Sequence, residues 1–175
     1  MANTYPKLPL RISMPNNSFE SLFERDAPEG VSQTFVAGSP LKIVSGQLAT
    51  WVSPTDGAVV GWSLSPASGT TGAKVRYVMH NAGVELEANL LGSAAADRAL
   101  VATDLFTNYD LVSGTILPGA ATGWYFSATT VDVAVKICDL KSDYIISNVT
   151  QSFPAAGDIN PRVKANLIGS KSAWA

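Results

Sequence analysis

Cysteine and histidine are almost missing from this chain: Cys138 and His80 each stand alone among 175 residues. A solitary cysteine excludes an intrachain disulfide, so packing must hold the fold, as suits assembly in a reducing cytoplasm. A zinc site needs several His, Cys or carboxylate ligands at short spacing, and neither residue has such companions. No Asp-rich loop of the calcium-binding kind is present. Ser-His-Asp catalysis would have to use His80, yet no Gly-x-Ser-x-Gly elbow offers it a serine. At a strand end, on the polar face, His80 reads as a solvated or charge-paired imidazole and not as a general base. The inventory predicts no enzyme and no cofactor.

Charge is scarce as well, 15% of residues against 46% hydrophobic, and Lys+Arg 12 against Asp+Glu 14 leaves a formal net charge of −2. Without a basic field, nucleic acid is a poor partner. That much apolar character exceeds what a free monomer surface usually carries, which predicts that part of the surface is covered by another molecule. Long hydrophobic runs are missing too. Neither a signal peptide nor a membrane span of about eighteen apolar residues is found, so neither secretion by that route nor a membrane location is expected. The sequons at Asn16 and Asn148 therefore read as chance.

What the chain does have is alternation. Val75, Tyr77 and Met79 alternate with Lys74, Arg76 and Val78, a period of two that marks a half-buried strand. Leu86, Ala88 and Leu90 alternate in the same way with Glu85, Glu87 and Asn89. Only Asn81-Ala82-Gly83 separates the two runs, which predicts a hairpin with Lys74, Arg76 and His80 facing Glu85 and Glu87 across the ladder. Turn residues at intervals of about ten extend the pattern from Val31 onward and predict an all-β barrel or sandwich. Further strands are expected at Gln33–Ala37, at Leu41–Val44 and Gln47–Val52 around a Ser45-Gly46 turn, and at Ala58–Leu64. Others follow at Tyr109–Val112, Gly114–Leu117, Trp124–Ala128, Val131–Cys138, Tyr144–Val149 and Arg162–Ile168. Ala94–Ala102 is Ala-rich and suits either a helix or a loop.

Residues 1–30 differ in kind. Pro6, Pro9 and Pro15 remove donors and favour extended backbone, so the segment reads as a strap without sheet partners of its own. Asn17 and Glu20 have capping-box spacing ahead of Phe19, Leu22 and Phe23, predicting a short amphipathic helix over about Ser18–Arg25. The domain reading is an extended N-terminal arm, 1–30, followed by one β domain, 31–175. Tyr5, Leu8, Leu10, Ile12, Met14, Phe19, Leu22 and Phe23 give the arm more apolar surface than a free tail needs. These residues, with Trp174 in the tail, are the candidate contacts to a neighbouring subunit, docking of the arm on its own domain being the alternative. If the arm serves a neighbour, deleting residues 2–25 should leave the β domain folded.

Other features read as structural. Glu85 and Glu87 are i, i+2 neighbours on one strand and cannot flank a sugar from two sides. The run Ser68-Gly69-Thr70-Thr71-Gly72-Ala73-Lys74 glances at a phosphate loop, but its spacing is wrong and a strand follows where a helix is required. Trp51, Trp62, Trp124, Tyr125 and Phe126 could line a sugar-binding face, although in short strands such rings are more often core.

Several short segments, in order, carry a resemblance. They are Phe35 to Gly46, Gly61-Trp62-Ser63-Leu64, Gly69-Thr70-Thr71-Gly72 before Val75-Arg76-Tyr77-Val78, and Glu87-Ala88-Asn89-Leu90, then Asp104 to Val112 and Asn160-Pro161-Arg162-Val163. Together, over residues 31–168, they resemble the capsid decoration (cement) proteins of tailed bacteriophages. The resemblance implies a mainly β virion structural protein without enzymatic activity. It also implies assembly in the host cytoplasm and a place on the outer capsid surface, bound to the major capsid protein. A homotrimer and a second decoration protein are possible partners under that reading. The alternative is a carbohydrate-binding or adhesive β module on a virion.

Overall fold

The computed structural model describes residue 2 and residues 4–13, 24–52, 54–80, 84–128, 134–140 and 157–168. Its regular elements are strands joined by turns and single turns of 3-10 helix, so the mainly β expectation holds. They fall into two compact units, Met1–Arg11 with Glu85–Ile168, and Ile12–Val84 with Gly169–Ala175. Strand β1 (Arg11–Ser13) opens the chain's regular structure.

The unit built on Ile12–Val84 holds β2 (Glu24–Pro28), β3 (Pro40–Val44), β4 (Gln47–Thr50), β5 (Gly61–Ser63) and β6 (Lys74–Met79). Their order in the sheet is β2-β6-β5-β3-β4. The sheet curls back on itself, because Glu29 forms a parallel bridge with Leu48 and the Gly30 amide donates to the Leu48 carbonyl at 2.8 Å. Phe35, Leu41, Leu48, Val60, Val75 and Tyr77 fill it. The Ser45-Gly46 turn is as expected: Val44 pairs with Gln47, and both turn residues have positive φ, 51° and 78°. Those angles match the strand twist in a two-residue hairpin.

Two expectations for this half need revision. Gln33–Ala37 is irregular rather than a strand. Phe35 plugs the core, while the Gln33 side-chain oxygen accepts the Thr50 amide at 2.8 Å on the flank of β4. The expected helix lies outside the described residues over 18–23, and at Glu24 and Arg25 the chain is strand, paired with Val78 and Tyr77 of β6. Pairing of β2 into the sheet satisfies its backbone groups better than a single helical turn would. Deleting residues 2–25 would therefore cut into β2 as well as the strap.

The other unit is a closed barrel of β7 (Glu85–Leu91), β8 (Asn108–Leu117), β9 (Ala121–Ser127), β10 (Val135–Asp139) and β11 (Arg162–Leu167). The order runs β7-β11-β10-β8-β9, with β1 beside β7, and closes where Leu90 and Leu91 pair in parallel with Phe126 and Ser127. Closure removes the exposed edges of an open sheet. The register stacks Leu86, Ala165 and Ile137, then Ala88 with Val163, then Leu111 with Phe126, on the inward face. Ala88 and Ala165 sit where a narrow barrel has least room. Tyr109–Val112 and Gly114–Leu117 are one continuous strand, not two. Residues 94–102 are not a helix: single 3-10 turns at Ser93–Ala95 and Ala102–Asp104 flank extended backbone.

The expected hairpin of residues 74–90 is not formed. Strand β6 pairs with β2 and β5, whereas β7 pairs with β11 and β9. Period-two alternation identifies strands but not their partners, and charge complementarity was degenerate. Arg76 pairs with Glu24, Glu85 with Lys164 at 3.7 Å, and Glu87 with Arg162 at 3.0 Å. The Asn81-Ala82-Gly83 link, residues 131–133 and the expected strand Tyr144–Val149 lie outside the described residues.

One close crossing carries a prediction. A Cβ on Gly61 would press on the Val78 carbonyl oxygen and lie 2.6 Å from Tyr77 Cδ2. Gly61→Ala is expected to cost about 1–3 kcal/mol through forced separation of β5 from β6. A urea midpoint unchanged from the parent would contradict this.

Candidate functional site

The outer face of β7 and β11 carries the densest chemistry among the described residues. Arg162 stands opposite Asn89, and Lys164 opposite Glu87. On an exposed sheet face such residues would be solvated, but here Glu87, Asn89 and Arg162 are all buried. Residues 6–9 lie over them, held through the main chain. The Leu8 amide donates to Asn89 Oδ1 at 2.9 Å, and Asn89 Nδ2 donates to the carbonyls of Pro6 at 3.0 Å and Asn160 at 2.8 Å. The Arg162 guanidinium donates to Glu87 Oε1 at 3.0 Å, Asn89 Oδ1 at 3.3 Å, Leu8 O at 3.4 Å, Pro9 O at 3.2 Å and Glu87 O at 3.1 Å. Each of its N–H groups can thus find an acceptor, the condition for burying a guanidinium.

The strap's prolines suit this arrangement. Pro6 and Pro9 contribute carbonyl acceptors and no N–H, so fewer donors need partners under the strap. Farther along, Tyr5 N–H donates to Ile159 O at 2.9 Å, and Thr4 bridges Ile159 in parallel. At the rim, Lys7 Nζ donates to Ala95 O at 2.9 Å and meets Asp97 at 3.1 Å. Asn160 Nδ2 also donates to Asp97, at 2.9 Å. The Asn160 bond and then Lys7 hold the Asp97 carboxyl below its usual range.

Behind the rim, Asp104 accepts from both terminal nitrogens of Arg98, from the Tyr109 hydroxyl and from the Val101 amide. Burial works to raise its pKa, but the bonds from Arg98 and Tyr109 outweigh it and keep the carboxylate charged. Burial, with Asp104 alongside, pushes the Tyr109 hydroxyl up to about 12. This group ties a loop to the barrel, and each of its polar contacts is with the protein itself.

Of the residues expected to touch a neighbour, Tyr5 and Leu10 are only 5% and 8% exposed, packed within their own chain, and Leu8 and Ile12 are half-buried. Met14, Phe19, Leu22, Phe23 and Trp174 lie outside the described residues. The clamp residues Glu87, Asn89 and Arg162 were missed as a site because strand alternation assigned Glu87 and Asn89 to solvent. Their signal was present in Glu87-Ala88-Asn89-Leu90 and Asn160-Pro161-Arg162-Val163, two of the segments singled out above.

His80 is also corrected. It is buried, its Nδ1 lies 3.5 Å from Trp62 Nε1 as acceptor, and burial pushes its pKa down to about 4. It is a neutral core residue rather than a solvated one. The loop that glanced at a phosphate site already cradles an anion: Ser68 N, Ser68 Oγ and Gly69 N donate to the buried Glu29 carboxylate at 2.7, 3.0 and 2.7 Å. Trp51, Trp62, Trp124, Tyr125 and Phe126 are all buried. No group of three or more His, Cys, Asp or Glu among the described residues is placed to hold a metal ion.

Exposed apolar side chains gather elsewhere, on the unit built around β3 and β4. Val31 is 67% exposed, Ile43 51% and Val44 49%. Val31 and Val44 line a shallow depression of about 480 Å³ with Gln33, Lys42, Gln47 and Ala49.

No protein family model matches the chain, and no curated protein and no solved structure is found similar to it.

Removing one partner of a buried ion pair leaves the other uncompensated, so Arg162→Met should lower stability by about 3–5 kcal/mol. It should also release the strap, seen as faster tryptic cleavage after Lys7; unchanged cleavage would contradict the clamp. For His80, an unfolded chain titrating near 6.5 takes up a proton that the folded state refuses until about pH 4. Its contribution is therefore whole above about pH 6.5 and is lost as pH falls towards 4, by up to about 3 kcal/mol. Urea titrations of the parent and His80→Gln between these limits should converge; parallel curves would contradict this.

Proposed function

We propose that this chain is a virion structural protein without enzymatic activity, a capsid decoration protein that binds the outer surface of a phage head through the major capsid protein. The observation that carries the reading is the exposed apolar pair Val31 and Val44, which line one depression, in a chain only 15% charged. Exposed apolar surface of this kind is what a partner covers. The ordered segments that resemble decoration proteins add to it, and a homotrimer or a companion decoration protein belongs to the same reading. Contact is now assigned to the β3–β4 hairpin instead of to Tyr5 and Leu10. Repetition of a modest contact over many equivalent positions makes it effective on a shell.

The carbohydrate-binding alternative would use Trp51, Trp62, Trp124, Tyr125 and Phe126, all of which are buried, and so has less support. To test the main reading, the purified chain is sedimented with expanded phage heads. Saturable co-sedimentation is expected, weakened about tenfold by Val44→Asp. A parent protein that stays in the supernatant would defeat the proposal.

A further inference from the structure

We infer that the strap is exchangeable: the cleft of Glu87, Asn89 and Arg162 seats residues 4–10 of a second copy of this chain as it seats its own. The cleft recognises the segment through main-chain atoms, namely Pro6 O, Leu8 N, Leu8 O and Pro9 O, with Tyr5 N–H on Ile159 and Lys7 on Asp97. None of those contacts depends on which polypeptide supplies the strap.

The covalent path points the same way. Met1–Arg11 belongs with Glu85–Ile168, yet the chain between them, Ile12–Val84, forms the other unit. The strap is therefore joined to its own barrel only by way of an inserted unit. Exchange between copies keeps every one of these strap contacts and alters only the path of the connecting chain, which makes it a low-cost route to an oligomer. Pro6 and Pro9 restrict the strap to extended shapes when it is out of the cleft, so less conformational freedom is lost on redocking. Any copy that offers the cleft also offers the strap, so the partner needs no further specificity. The exchange is separate from capsid binding.

The test uses full-length chains. Thr4 and Ile159 are bridge partners, so their Cα atoms are about 4.8 Å apart, within the roughly 4.4–6.8 Å that a disulfide spans. One preparation carries Thr4→Cys and the other Ile159→Cys, each with Cys138→Ser to remove the native thiol. The two are mixed at high concentration and oxidised. Exchange yields a disulfide between unlike chains, in clear excess over like-with-like dimers by intact mass. Adding Lys7→Glu, which sets a negative charge against Asp97, should speed its appearance on the order of threefold. Only unlinked chains, or only collisional like-with-like dimers, would overturn the inference.

Discussion

The barrel's outer face depends on one buried guanidinium. Arg162 joins β11 to β7 through Glu87 and Asn89 and reaches past both to the carbonyls of Leu8 and Pro9. Taking such a cation out of water is expensive, and the cost is offset only when its donors are met and a counter-charge lies alongside. Here Glu87 supplies the charge, and the strap supplies acceptors that the sheet alone lacks. The strap is thus a structural part of its barrel rather than a tail that happens to lie on it.

That constraint changes where contact with another molecule belongs. Apolar residues near the N-terminus suggested a grasping arm, but Tyr5 and Leu10 are spent on the chain's own core. Exposed apolar side chains occur on both units, at Val31, Val36, Ile43, Val44 and Val52 on one and at Val101 and Phe106 on the other. Polar groups elsewhere are used internally: Glu29 fills the Ser68–Gly69 loop, and Asp104 anchors Arg98 and Tyr109. A chain with few charges employs several of them as buried fasteners and leaves Val31 and Val44 in water.

Much of the fold was legible in the sequence. Alternation located β6, β7 and β10, and Ser45-Gly46 located its hairpin, because side-chain period and positive φ are local properties. Pairing was not legible. The run from Lys74 to Leu90 contains two sound strands, but whether neighbours in sequence pair is decided by long-range burial, and here they belong to different sheets. Residues 24 and 25 looked like the end of a helix because a capping signal is local, whereas their pairing with β6 is not. The clamp was hidden for a related reason. Glu87 and Asn89 lie on the polar side of an alternating strand, and only the strap passing over them turns that side into an interior. His80 was misplaced by the same inference, drawn from its charged neighbours when its surroundings are Trp62 and the sheet.

The central claim is that residues 4–10 are fastened to the barrel by the Arg162 network, and amide hydrogen exchange of the unmodified protein tests it most directly. The Tyr5 and Leu8 amides, given to Ile159 O and Asn89 Oδ1, should be protected to a degree approaching that of Leu90 in the barrel wall. Exchange of those two amides at the rate of a free peptide, with Leu90 still protected, would contradict it.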